Sequence, residues 1–133
     1  MAMEKKKLLV VDDSKANLLL FETMFENDTR IELLFRDNGL GIVEFCLQHM
    51  PDLILLDIMM PEVNGFEVLE MLKSNEVLKN ITVVIISALQ GPEDIKRGIE
   101  LGANDFIIKP VDFEENAILV LRLLGLDYSE FGY

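Results

Sequence analysis

With a single cysteine, Cys46, the 133-residue chain can form neither an intramolecular disulfide nor a multi-thiolate zinc site. The flanking Phe45 and Leu47 are apolar, which predicts a packed thiol and not a redox centre. No apolar run approaches the roughly 18 residues that a membrane helix needs. The four apolar residues after Lys5, Lys6 and Lys7 are too few for a signal peptide. Basic residues are scarce: 12 Lys and Arg stand against 24 Asp and Glu, and the formal net charge of -12 repels nucleic acid and anionic membrane. The lysine run at 5 to 7 is read as solvated. These absences predict a cytoplasmic chain with no membrane segment and no direct nucleic-acid contact.

What is present is apolar and periodic. Half of the residues are hydrophobic, ample for one buried core, so a single domain over 1–133 is expected, with its core at about 7–125 and a short tail at 126–133. Short apolar runs alternate with stretches of helical period. The runs are "LLVV" at 8–11, "IELLF" at 31–35, "DLILLD" at 52–57, "ITVVIIS" at 81–87 and "DFIIK" at 105–109. The helical stretches are Ser14 to Phe25, one through Val43 and Leu47, one through Val68, Leu69 and Leu72, Pro92 to Leu101, and Phe113 to Leu124. Five βα units predict an α/β fold: a doubly wound parallel sheet, buried on both faces by right-handed crossovers. Gly65 is expected to permit a backbone turn, Pro61 to stiffen the same loop, and Gly102 to end the fourth helix.

In such a sheet the ligand site lies beyond the carboxyl ends of the strands. The first strand ends in Asp12 and Asp13, the third in Asp57, the fourth in Ser87 and the fifth in Lys109. Taken singly, Asp13 or Ser14 reads as a helix cap, Ser87 as a turn hydroxyl and Lys109 as a solvated charge. Together they converge from four strands on one rim. Three carboxylates there repel one another unless a hard cation neutralises them, and an oxygen-only donor set at a wet rim suits Mg²⁺. With Lys109 and the Ser87 hydroxyl, that ion would stabilise phosphoryl oxygens, leaving Asp57 as the nucleophile that becomes an aspartyl phosphate.

The segments "VVDDS", "DLILLDIMMPEVNGFE", "VVIISA" and "GANDFIIKP", in this order and at these spacings, resemble the receiver domain of bacterial two-component response regulators, across about residues 7–125. The resemblance implies the flavodoxin-like (βα)5 arrangement, with strand order 2-1-3-4-5. It implies that Asp57 takes phosphate from a histidine kinase or histidine phosphotransfer protein, and that Asp12, Asp13, Asp57 and the backbone carbonyl of Met59 bind Mg²⁺. Lys109 would pair with the phosphoryl group. Ser87 stands at the hydroxyl switch position and Phe106 at that of the aromatic that moves with it, reshaping the face of helix four, strand five and helix five toward an output partner. A cis peptide between Lys109 and Pro110 is implied as well. Such a chain is no enzyme beyond its own phosphorylation and dephosphorylation.

Other readings make different demands. An aspartyl-nucleophile phosphohydrolase of the haloacid dehalogenase type needs a second aspartate two residues after the first, where Met59 stands. A flavin or nucleotide site would be repelled by the acidic "DDSKAN". A receiver-like adaptor that docks without phosphate is the alternative to the switch. Both a stand-alone regulator and a receiver excised from a longer protein fit the sequence. His49 reads as a helix-end residue and not a phosphodonor. The last helix carries apolar residues at 117–121, 123 and 124, more than one core face uses. A partner or a second copy, forming a homodimer through helix four, strand five and helix five, is the expectation there, with Tyr128, Phe131 and Tyr133 folding over the helix as the other reading. Met59 and Leu89 flank the site without a group to orient water, and their apolar bulk is expected to crowd its path, which predicts a long-lived phosphoryl group.

Overall fold

The computed structural model describes residues 4–88 and 91–128. Its elements are β1 (Lys6–Val11), α1 (Lys15–Phe25), β2 (Ile31–Arg36), α2 (Ile42–His49), β3 (Leu53–Asp57), α3 (Gly65–Lys73), β4 (Thr82–Ser87), α4 (Pro92–Glu100), β5 (Asp105–Ile108) and α5 (Phe113–Leu123). All five strands are parallel, in the order β2-β1-β3-β4-β5. The flavodoxin-like arrangement is therefore as expected, and every element falls within a residue or two of its sequence-based bounds.

Strand alternation divides the core into two layers. Leu8 and Val10 of β1, Leu53 and Leu55 of β3, and Val84 and Ile86 of β4 pack with Phe21, Met24 and Phe25 of α1 and Ala117, Val120 and Leu121 of α5. Their alternates Leu9, Val11, Ile54, Leu56, Val83 and Ile85 pack with Ile42 and Cys46 of α2 and Val68, Leu69 and Leu72 of α3. The central strands are thus dry on both sides, which is why their sequences run continuously apolar. Cys46 is fully buried, and desolvation, opposed by nearby Arg36, pushes its thiol up to about 11, as befits a packed thiol.

Local chemistry sets where the helices begin. Ser14 caps α1 by accepting from Asn17 N at 3.3 Å. Asn64 and Glu67 form a reciprocal capping box on α3, and Asp112 caps α5 by accepting from Glu115 N at 2.8 Å. Gly102, at φ +106°, ends α4 as expected.

Two expectations are corrected. Gly65 is not required by a turn conformation, since it does not adopt a positive φ; a Cβ there would lie 2.3 Å from the Asp57 carbonyl oxygen and 2.7 Å from Ile58 Cα. It is a point of close approach between α3 and the end of β3. Lys7 is not simply solvated: its Nζ donates to the His49 carbonyl at 2.9 Å and its backbone N to Asp52 Oδ2 at 2.7 Å, clasping β1 to the end of α2. The broad stripe on α5 is partly accounted for by Leu119, Leu123, Leu126 and a half-buried Tyr128, all packed on the first layer, while Ile118 remains 37% exposed. Phe131 and Tyr133 lie outside the described residues.

Gly65→Ala should lower stability to urea denaturation by about 3 kcal/mol, because the methyl meets backbone that cannot rotate away. Gly125, at φ +74° with nothing near a built Cβ, provides the contrast. Gly125→Ala should cost only about 1 kcal/mol, the strain of the left-handed conformation. Equal losses would contradict the close-approach account.

Candidate functional site

Four chain segments converge beyond the carboxyl ends of β1, β3, β4 and β5. Asp12 follows β1 and is completely buried; its Oδ1 accepts from Ser14 N at 2.8 Å and its Oδ2 from Asn17 Nδ2 at 3.0 Å. Those two donors, from the first residues leading into α1, fix the carboxylate's orientation. Asp57 closes β3 and is also buried. Lys109 follows β5, held there by its backbone N donating to the Ser87 carbonyl at 2.9 Å, which extends the β4–β5 ladder by one rung. Its Nζ lies 3.2 Å from Asp57 Oδ1 and 4.0 Å from Asp12 Oδ2. The Lys109–Pro110 peptide is cis, as the resemblance implied.

The charges at this rim do not balance. Asp12, Asp13 and Asp57 each bring a carboxylate oxygen to within 4.8 Å of the others, with Lys109 as the cation paired to Asp57. Burial first, and then the Asp12 carboxylate, raise the Asp57 carboxyl to about 7, while Lys109 pulls it down. Asp57 Oδ2 is buried without a hydrogen-bond partner, whereas Oδ1 has Lys109. A buried acceptor left open beside two further carboxylates fits a hard divalent cation: the donors are all oxygen, and the exposed Asp13 keeps the site open to water.

The other expected residues sit around this centre. Ser87 is buried at the last position of β4. Met59 lies two residues past Asp57, in a loop closed by hydrogen bonds from Met60 N (3.0 Å) and Gly65 N (2.9 Å) to the Ile58 carbonyl, and its side chain is 64% exposed. That exposure places its apolar bulk in solvent. Leu89 lies outside the described residues. Phe106 is half-buried on β5, against α4. His49 closes α2 with its ring 4.3 Å from that of Phe45, a helix-end role as expected.

Two residues near the site escaped the sequence reading. Asn17 has a local signal, a carboxamide one turn into a helix that starts beside Asp12. Gly98 has none, because it is marked by its contacts with Ile85 of β4 and Phe106 of β5.

Comparison with known proteins agrees with this geometry. Residues 8–120 match the family model described as response regulator receiver domain. The polar-differentiation response regulator DivK of Brucella anthropi is 35% identical over 120 residues, covering 90% of this chain and 97% of DivK. The response regulator PleD of Caulobacter vibrioides is 40% identical over 106 residues, 80% of this chain; this chain spans only 23% of PleD's length. Among solved structures, the Mn²⁺-bound form of response regulator Rcp1 superposes with a TM-score of 0.77 at 30% identity, covering 92% of this chain and 96% of that one. The buried aspartate at the end of β3, its lysine partner and this family match lead to one conclusion: the chain belongs to the response regulator receiver domain family of two-component signalling.

Proposed function

We propose that this chain is a phosphoryl-accepting switch in which Asp57 is the acceptor. The observation that carries the reading is the open, buried Oδ2 of Asp57 beside Asp12 and Asp13, with Lys109 on the other oxygen. A carboxylate oxygen of Asp57 attacks the phosphorus of a phosphohistidine on a histidine kinase or histidine phosphotransfer protein. The O–P bond forms as the N–P bond breaks, and the imidazole leaves. Asp12, Asp13, Asp57 and the backbone carbonyl of Met59 are the groups that would hold Mg²⁺; the Mn²⁺ in Rcp1 supports a divalent ion here. When bound, the ion supplies Lewis-acid charge stabilisation at the phosphoryl oxygens.

The chain's own residues do the rest. Lys109, released from its pairing with the carboxylate alone, turns its ammonium to the phosphoryl group. The Ser87 hydroxyl donates to a phosphoryl oxygen, and Phe106 follows it, so that the face of α4, β5 and α5 changes shape for an output partner. That face carries exposed Ile99, Ile108 and Ile118 and a groove of about 540 Å³ between β5 and α5, which supports docking of an effector or a second copy.

Incubation with acetyl phosphate and Mg²⁺ should add one phosphoryl mass, lost in Asp57→Ala and on chelation of the ion. A mass gain that persists in Asp57→Ala would sink the assignment. Asp13→Ala should weaken Mg²⁺ binding about tenfold in a titration.

A second expectation concerns pH. Without Mg²⁺ the Asp57 carboxyl holds its proton to about 7 in the folded chain, against 3.8 for an ordinary aspartate. The folded state binds the extra proton between those values, so the carboxyl's effect on stability worsens as pH rises from one to the other. Asp57→Asn removes that effect and should stabilise the metal-free protein at pH 8 by on the order of 2 kcal/mol. The gain should disappear near pH 4 and shrink with Mg²⁺. An equal gain at both pH values would show that the carboxylate's charge is not the cause.

A third concerns lifetime. Met59 and Leu89 offer no hydrogen-bonding group to align a water opposite the Asp57–phosphorus bond, so the phosphorylated form should be long-lived. Met59→Asn combined with Leu89→Glu should speed loss of phosphate about tenfold. Unchanged decay after removal of acetyl phosphate would rule these positions out.

A further inference from the structure

α4 is anchored differently from the other helices. Gly98 is its sole buried residue, whereas α1, α3 and α5 each bury several. A glycine inside a helix weakens it relative to alanine, because more backbone freedom is lost on folding. Here the space that a side chain would occupy is already filled. A Cβ on Gly98 would lie 2.6 Å from Cζ and 3.1 Å from Cε1 of Phe106, and 2.8 Å from Cδ1 of Ile85. Any residue other than glycine at 98 and the Phe106 ring in its present position exclude each other.

The ring is the partner able to move. It is half-buried, it meets Gly98 with its far edge, and it stands on β5, the edge strand of the sheet, where solvent borders it. Strand geometry connects it to the acceptor site. Ile85 pairs with Phe106 and Ser87 with Ile108, and Ile85 and Phe106 share the α3 side of the sheet while Ile86 and Ile107 face the other. By the two-residue period Ser87 points to the same side as Ile85, so it is the diagonal neighbour of Phe106 one step nearer Asp57. α4 also meets the second layer through its C-cap Leu101, and α3 through Arg97, exposed, with its guanidinium 4.4 Å over the Phe66 ring. Such a contact can be remade after a small shift of the helix.

We propose that Gly98 is a positioning residue for the switch: it is the seat that holds the Phe106 ring against α4, and the missing side chain at 98 sets the ring's resting position. Through Ser87, that position governs how readily Asp57 takes phosphate. The link to phosphate rests on the switch reading above; the seat itself does not.

The test combines Gly98→Ala, Phe106→Ala and the double variant in the full chain. Ring and β-methylene NMR signals report the χ1 population of Phe106 in unphosphorylated wild type and Gly98→Ala, and acetyl phosphate with Mg²⁺ gives the phosphorylation rate of all four proteins. In Gly98→Ala the Phe106 χ1 population should change and the phosphorylation rate should shift about fivefold or more. Against the Phe106→Ala background the same substitution should leave the rate within about twofold, because the other close atom, Ile85 Cδ1 at 2.8 Å, ends a side chain that can rotate away. Unchanged ring signals in Gly98→Ala, or the same rate shift with and without the ring, would overturn the proposal. If Gly98→Ala fails to fold, rescue by Phe106→Ala supports the seat, and failure of the double variant to fold refutes it. Wild type that accepts no phosphate would remove the acceptor reading, while the ring populations would still decide the seat.

Discussion

A buried carboxylate at the mouth of β3 is the constraint around which the rest of the molecule is arranged. Asp57 follows four residues of dry strand, so its charge is desolvated by the same packing that makes β3 stable. Asp12, equally buried, adds a like charge, and Lys109 offsets it only in part. The outcome is a carboxyl raised to about 7, a group whose ionised form the folded chain tolerates poorly until positive charge arrives. Stability is given up locally so that the oxygen stays open, a trade found where function needs a strained group.

That local cost is bearable because the two apolar layers are complete without the site. Strand alternation divides β1, β3 and β4 evenly between the α1/α5 layer and the α2/α3 layer, so the central strands are held from both sides. Strand ends are then free to carry polar groups. Gly65 brings α3 close enough to touch the Asp57 carbonyl, which confines the loop bearing Met59 to the edge of the acidic site.

Most of this was legible from the sequence because it follows from short-range periodicity. Short continuous apolar runs mark the strands and stretches of helical period most of the helices between them, and the acidic pair, Asp57, Ser87 and Lys109 stand out as polar residues ending apolar strands. The missed features depend on how elements meet in space, whether their residues are distant in the chain, as Lys7 and His49 are, or close, as Asn17 and Asp12 are. Lys7 looks like one of three solvated lysines until the end of α2 supplies a carbonyl for its ammonium. Gly65 looks like a turn residue until β3 is found against it. The pairing of Asn17 with Asp12 needs α1 to start at one particular angle. No periodic signal encodes such contacts.

α4 shows how the same physics separates scaffold from moving part. Its sequence, Pro92–Glu100, carries four acidic or basic residues after its first two positions and an exposed Ile99, and its one buried residue is a glycine. Burial of apolar area is what fixes a helix in place, so a helix that buries almost none can shift without disturbing either core layer. The helices that cradle the strands on either side cannot. A charge added at Asp57, as the proposed switch requires, would meet a tightly packed sheet in most directions and one lightly held helix beside β5, which touches the sheet at Phe106 and Ile85. In a close-packed domain a displacement travels where the least packing energy opposes it, and for the proposed switch that direction is toward α4.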